Sequence, residues 1–337
     1  MTPKERFLKR LNGEMVDKIP NFSIVMEFAS KYIGSSMDKF CSDYNVLVEA
    51  NIKTAKDFGL DILNTMSDPV REAADYGSEI IWDYDRIPRT KGSFIETPSD
   101  VKKLKPFNPH DSVRMLDRIK AIELYKKETG DNYPIMGWVE GTIAETADLM
   151  GLTNLLMAFY DEPEMVKEIM DICLVTAKSC IRAQVEAGAD IIGVGDAAAS
   201  IIGPALYKEY GLFYEQEIFA EIKRCGAVGR LHICGDITCL LDDLAIVGAD
   251  IIDVDWMVDL KTASDKLKGI STCGNFDPVA VVLNGTEESI IKEVQRCVDE
   301  GNNRSIIMAG CEIPPNTSHE NFCAIHKALM SCADKKM

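Results

Sequence analysis

The chain has 337 residues, a net charge of −17, 46% hydrophobic and 27% charged residues. That composition belongs to a globular protein able to bury a large core, and its acidity argues against nucleic acid and against an anionic membrane surface as partners. No run approaches the length of a transmembrane helix and the N-terminus does not read as a signal peptide, so the 11 cysteines are expected as reduced thiols in a cytoplasm.

Thr2-Pro3-Lys4-Glu5 has capping-box spacing with proline at the first helical position, and it starts a helix that Gly13 and Pro20 end. Residues 21–25 read as a strand. A helix over 45–58 stops at Gly59, ahead of a second strand at 61–66. Residues 67–130 are less regular. Ile80 to Tyr84 suggests a hairpin-like strand, Pro98 to Leu104 a short helix, and Ser112 to Glu128 a longer one. No linker composition sets this stretch apart, so it reads as an insertion after the second strand, within a single domain spanning 1–337.

From Pro134 the alternation is regular. Strands at 134–139, 190–195, 229–233, 250–254, 270–274 and 305–309 alternate with helices running through Met150 and over 163–186, 204–224, 238–247, 261–268, 286–299 and 317–330. Eight strands alternating with helices predict an α/β fold, a (β/α)8 TIM barrel with the first helix as an N-terminal extension. Gly188-Ala189-Asp190-Ile191-Ile192 recurs as Gly248-Ala249-Asp250-Ile251-Ile252, an echo that supports the alternation more than the closure.

Barrel enzymes work at the C-terminal ends of their strands. Polar residues gather there: Glu27, Asp68, Glu140, Asp196, then His232 with Cys234, Asp255 with Trp256, Asn275 with Asp277, and Cys311 with Glu312. His232 and Cys234 are two apart, so an extended strand projects them from one face. The fifth and eighth strands lie across a barrel, which lets Cys311 converge on that pair. Two thiolates and an imidazole form a plausible first shell for Zn2+ with one position open. Buried core cysteines, or a structural zinc site, are the alternatives that these residues leave standing. The other histidines, His110, His319 and His326, are assigned no chemistry.

These residues carry a resemblance. The chain resembles the uroporphyrinogen decarboxylase superfamily, and within it the zinc-dependent corrinoid methyltransferases. The likeness covers nearly the whole chain, through Glu5-Arg6-Phe7-Leu8, Val16-Asp17-Lys18-Ile19-Pro20, Gly137-Trp138-Val139-Glu140-Gly141, Gly195-Asp196, His232-Ile233-Cys234-Gly235, Cys273-Gly274-Asn275-Phe276-Asp277-Pro278 and Gly310-Cys311-Glu312-Ile313-Pro314-Pro315. His-x-Cys followed by a distant Cys is that branch's zinc signature. Where the decarboxylases carry an arginine after the first strand, this chain has Val25-Met26-Glu27, which counts against a polycarboxylate porphyrinogen as substrate.

The resemblance implies methyl transfer between a small substrate and the cobalt of a corrinoid. The chain has no Asp-x-His-x-x-Gly motif, so the cobalamin is expected on a separate corrinoid protein. O-demethylation of a methoxylated aromatic is the favoured direction, with Trp138, Trp256, Phe276 and Asn275 as substrate-binding residues. Methylation of a thiol, of the coenzyme M type, is the alternative; a non-catalytic barrel propped by zinc is a more distant one. Glu140, Asp196 and Asp255 are candidates for a further zinc ligand, a proton donor or a substrate anchor, or else cap the helices that follow them. A homodimer is compatible with the sequence, which specifies no oligomeric state.

Overall fold

The computed structural model describes residues 1–332. Its strands are β1 (Leu63–Asn64), β2 (Ile80–Asp83), β3 (Arg86–Thr90), β4 (Ile135–Glu140), β5 (Ile191–Gly195), β6 (Val228–His232), β7 (Ile251–Val254), β8 (Ser271–Phe276) and β9 (Ile306–Ala309). Seven of them form one curled parallel sheet in the order β1-β4-β5-β6-β7-β8-β9, and β2 and β3 form the antiparallel hairpin that the sequence suggested. Helices pack outside the sheet, as βαβ crossovers require.

The ladder therefore has seven strands among the described residues, where eight were expected. Segment 21–25 is extended, but its amides go to side chains. The Asn21 carboxamide oxygen accepts from the Ser23 amide at 3.1 Å and its hydroxyl at 2.7 Å, and the Asp61 carboxylate accepts from the Asn21 amide at 2.8 Å. The segment still fills the eighth position. Asn21 O accepts from Asp61 N at 2.9 Å on one side, and Ile24 O accepts from Ile313 N at 2.9 Å on the other.

Two apolar layers result. The larger lies between sheet and helices, while the barrel interior holds Phe22, Ile24, Met66, Met136, Trp138 and Met308 among others. The first helix, Pro3–Leu11, closes the N-terminal end of the barrel. Its Phe7 ring lies 5.2 Å from Phe22, and Arg10 Nε donates to Ser305 O at 2.8 Å. Its cap is the foreseen Thr2–Glu5 box.

Other departures have local causes. Helix Glu27–Tyr32 was not foreseen because nothing in its own sequence caps it; the Glu312 carboxylate, from the far end of the chain, accepts from the Met26 and Glu27 amides at 3.0 and 2.6 Å. The helix expected over 204–224 is divided into Ala199–Leu206, a wide turn, and Leu212–Arg224; Gly203 breaks the helical geometry ahead of Pro204. The helix expected over 238–247 is reduced to a tight turn and Leu241–Leu244. Strand β8 runs to Phe276, so Asn275 and Phe276 lie in the strand and not in the loop after it.

Gly193 and Gly195 of β5 pair with Trp138 and Glu140 of β4, and a Cβ at either glycine would run into the indole of Trp138. The glycines make room for the ring inside the barrel. Gly193→Ala is expected to lower stability by roughly 1–3 kcal/mol through overpacking, read as a fall in melting temperature. Native stability in that variant would show that the ring does not press on this strand.

Candidate metal centre and its cavity

His232 ends β6, Cys234 follows two residues later, and Cys311 follows β9. His232 Nε2 lies 2.9 Å from Cys234 Sγ, which lies 3.9 Å from Cys311 Sγ, and the three donor atoms fall within 4.8 Å of one another. Two soft sulfurs and one imidazole nitrogen in that space fit the donor set that zinc takes.

A carboxylate on the neighbouring strand orients the histidine. Asp253 Oδ2 accepts from His232 Nδ1 at 2.7 Å, while the same carboxylate receives Arg230 Nε at 2.8 Å and Nη2 at 2.9 Å. A carboxylate can only accept, so the hydrogen sits on Nδ1 and Nε2 is turned toward the cysteines. Burial pushes the Asp253 carboxyl up, but Arg230 and His232 outweigh it and hold it ionised. Burial works against protonation of His232; its bonds to Asp253 and Cys311 prevail and raise it to about 9. The hydrogen bond from Cys234 is the largest influence on Cys311, lowering its thiol to about 4 against the opposing effect of burial, while Cys234 is pushed up by the same contact.

The three donors line one cavity of about 160 Å3 at the C-terminal ends of the strands. Of the other residues singled out from sequence, Asp68, Trp138, Glu140 and Glu312 share it. Trp138 Nε1 donates to Glu140 Oε1 at 2.7 Å, and the indole lies 6.2 Å from the imidazole of His232. Asp255 stands behind the site, accepting from the Gly235 amide at 2.7 Å and the Trp256 amide at 2.6 Å, which fixes the loop after Cys234. Asp196 is fully buried and accepts from the Ala144 amide at 2.8 Å, near the start of helix Thr142–Met150. Trp256 is 46% exposed and outside the cavity, Phe276 is buried in the core, and Asn275 braces the loop after β7 by donating to Val258 O at 2.7 Å.

The sequence reading passed over Arg230 and Asp253, although the strand pattern carried a signal. Arg230 is two before His232 and Asp253 two before Asp255, charged residues at alternate positions of otherwise apolar strands. It also named Glu312 only as a strand-end residue. Glu312 lines the cavity, and burial raises its carboxyl to about 8 although the Glu27 amide opposes this.

Residues 2–332 match the uroporphyrinogen decarboxylase (URO-D) family. Fold and site together define a barrel protein with three possible metal donors clustered at the C-terminal ends of its strands, and the chain belongs to that family. It is 28% identical over 339 residues to the methylcobamide:CoM methyltransferase MtbA of Methanosarcina mazei, covering 98% of this chain and 97% of that protein. It is 30% identical over 241 residues to the uroporphyrinogen decarboxylase of Syntrophotalea carbinolica, covering 67% of each. A solved methyltransferase structure from Methanosarcina mazei superposes with a TM-score of 0.90 at 22% identity, over 98% of this chain and 99% of that one.

Behind β4 lies a group of buried carboxyls: Glu72, which accepts from the Glu140 amide at 3.2 Å, Glu140 itself, and Glu145. Both Glu145 oxygens lack a partner among the described residues, and burial, then Glu72, push its carboxyl well above the ordinary 4.5. A carboxyl raised on folding adds stability that is complete below its unfolded value of about 4 and drains away as pH climbs toward the folded value. Glu145→Gln is expected to flatten that decline, by up to roughly 1.4 kcal/mol per pH unit from about pH 5 upward. Unfolding free energies of the two proteins across that range measure it, and parallel curves would mean that Glu145 is ionised in the fold.

Proposed function

We propose that this chain is a zinc-dependent enzyme that transfers a methyl group from the cobalt of a corrinoid, carried by a separate protein, to a small thiol. The observation that carries the reading is the convergence of His232, Cys234 and Cys311 on the wall of one cavity at the strand ends. Zinc bound by these three ligands supplies a Lewis-acid position at which a thiol gives up its proton. Asp253 holds His232 in the ligand tautomer, and Arg230 keeps Asp253 charged. Asp255 fixes the loop behind Cys234. Burial and the neighbouring Glu72 push the Glu140 carboxyl well above its ordinary 4.5, which favours a neutral carboxyl beside Trp138 on the cavity wall.

The thiol reading is preferred over O-demethylation on two grounds. The relatives matched from end to end include several named methylcobamide:CoM methyltransferases. Of the aromatic residues proposed to hold an aryl ring, Trp138 alone lines the cavity. Its indole on that wall is what supports demethylation of a methoxylated aromatic as the second reading. All 11 cysteines are unpaired thiols, in keeping with a reducing cytoplasm as the place of action, and no helix of the described residues is long and apolar enough to cross a membrane.

Metal analysis is the first test. The native protein is expected to hold about one zinc per chain, His232→Ala to lose it, and the zinc-loaded protein to convert methylcobalamin and a thiol to the thioether. A native protein that takes up no zinc under reducing conditions would end this reading. Cys311→Ser separates catalysis from a structural prop, because lost turnover at an unchanged melting temperature supports the former and unfolding the latter.

A further inference from the structure

Resting on the thiol reading above, we propose that the cavity selects a thiol whose tail carries no negative charge, a neutral or ammonium-bearing one. Sites that hold a sulfonate, carboxylate or phosphate do so with arginine or lysine, or with unoccupied amides at a helix start or in a loop. This cavity offers no cationic side chain, and several of the amides around it are taken. No lysine or arginine lines it among the described residues, and its polar groups other than the metal-binding donors are the carboxyls of Asp68, Glu140 and Glu312.

The arginines next to the lining residues stay off the wall, although Arg118 keeps Nε and Nη2 without a hydrogen-bond partner among the described residues. Arg114 donates to both oxygens of Asp68, at 2.9 and 2.8 Å, and lies over the Trp82 ring on the far side of that carboxylate. Although burial opposes it, the Arg114 guanidinium holds Asp68 at about 2, so the pair is ionised and internally neutral. Arg118 sits behind β4, donating to Trp138 O at 2.9 Å with Glu72 3.5 Å away.

Several backbone donors around the cavity are engaged. The helix start beside the cavity, at Met26 and Glu27, is taken by Glu312. The amides of Gly235 and Trp256 are taken by Asp255, and that of Ala144 by Asp196. Those amides, which could otherwise receive an anion, already hold a carboxylate of the protein itself. An anionic tail brought into this space loses its water and meets carboxyls on the wall instead of a cationic side chain. An ammonium or a hydroxyl can instead donate to the oxygens of these three carboxyls, ionised or neutral.

The test titrates three thiols of equal length into zinc-loaded protein and follows proton release with a pH indicator: 2-mercaptoethanesulfonate, 2-mercaptoethanol and cysteamine. The sulfonate is expected to bind roughly ten-fold or more weakly than the alcohol, and cysteamine at least as tightly as the alcohol. Met26→Lys, which puts a cation on the cavity wall, is expected to raise sulfonate affinity selectively. Sulfonate binding equal to or tighter than that of the alcohol in the native protein overturns the selectivity and leaves the thiol reading standing. If none of the three binds while zinc stays at one per chain, the thiol reading falls and the selectivity with it.

Discussion

The site depends on one buried carboxylate. Asp253 is 1% exposed, and it joins Arg230 inside the barrel to His232 at its rim. An arginine in that interior would be untenable without a partner, since a buried charge left alone destabilises a fold by several kcal/mol. With the Arg230–Asp253 pair in place, the second oxygen of the carboxylate is shared with the imidazole. Folding and ligand geometry thus rest on the same group, because whatever frees Asp253 unbalances Arg230 and also releases the ring that faces the cysteines.

Much of this was legible in the chain. The alternation of apolar runs with helical stretches gave the barrel, and the two-residue spacing of His232 and Cys234 placed them on one face. Cys311 needed only the knowledge that strand ends on opposite sides of a barrel converge. What could not be read was anything decided by pairing at a distance. Segment 21–25 has a strand's sequence, but Asn21 and Asp61 intercept its amides. Helix Glu27–Tyr32 exists because a residue near the other end of the chain caps it. No window of local sequence contains either fact.

The carboxylates at the strand ends are where the sequence was most readily misjudged. Read as a set, Glu140, Asp196 and Asp255 suggested reacting groups. The fold uses Asp196 and Asp255 on backbone amides, Asp196 under the helix after β4 and Asp255 on the loops after β6 and β7. Glu140 differs from them, because it meets the cavity and its indole partner does so too. The distinction is whether a carboxylate reaches the cavity or is spent on backbone amides behind it, which geometry settles and spacing does not.

That expenditure has a consequence for what the barrel can receive. A loop that must hold a metal ligand steady needs its amides satisfied, and here acidic side chains satisfy them. The same amides, left open, would have been the natural place for a phosphate or sulfonate. Rigid placement of His232 and Cys234 and a welcome for anions draw on one set of donors, so a chain that commits Asp255 and Glu312 to the first has given up part of the second. Anion recognition would then lean on a cationic side chain on the wall, and no arginine or lysine lines this cavity among the described residues.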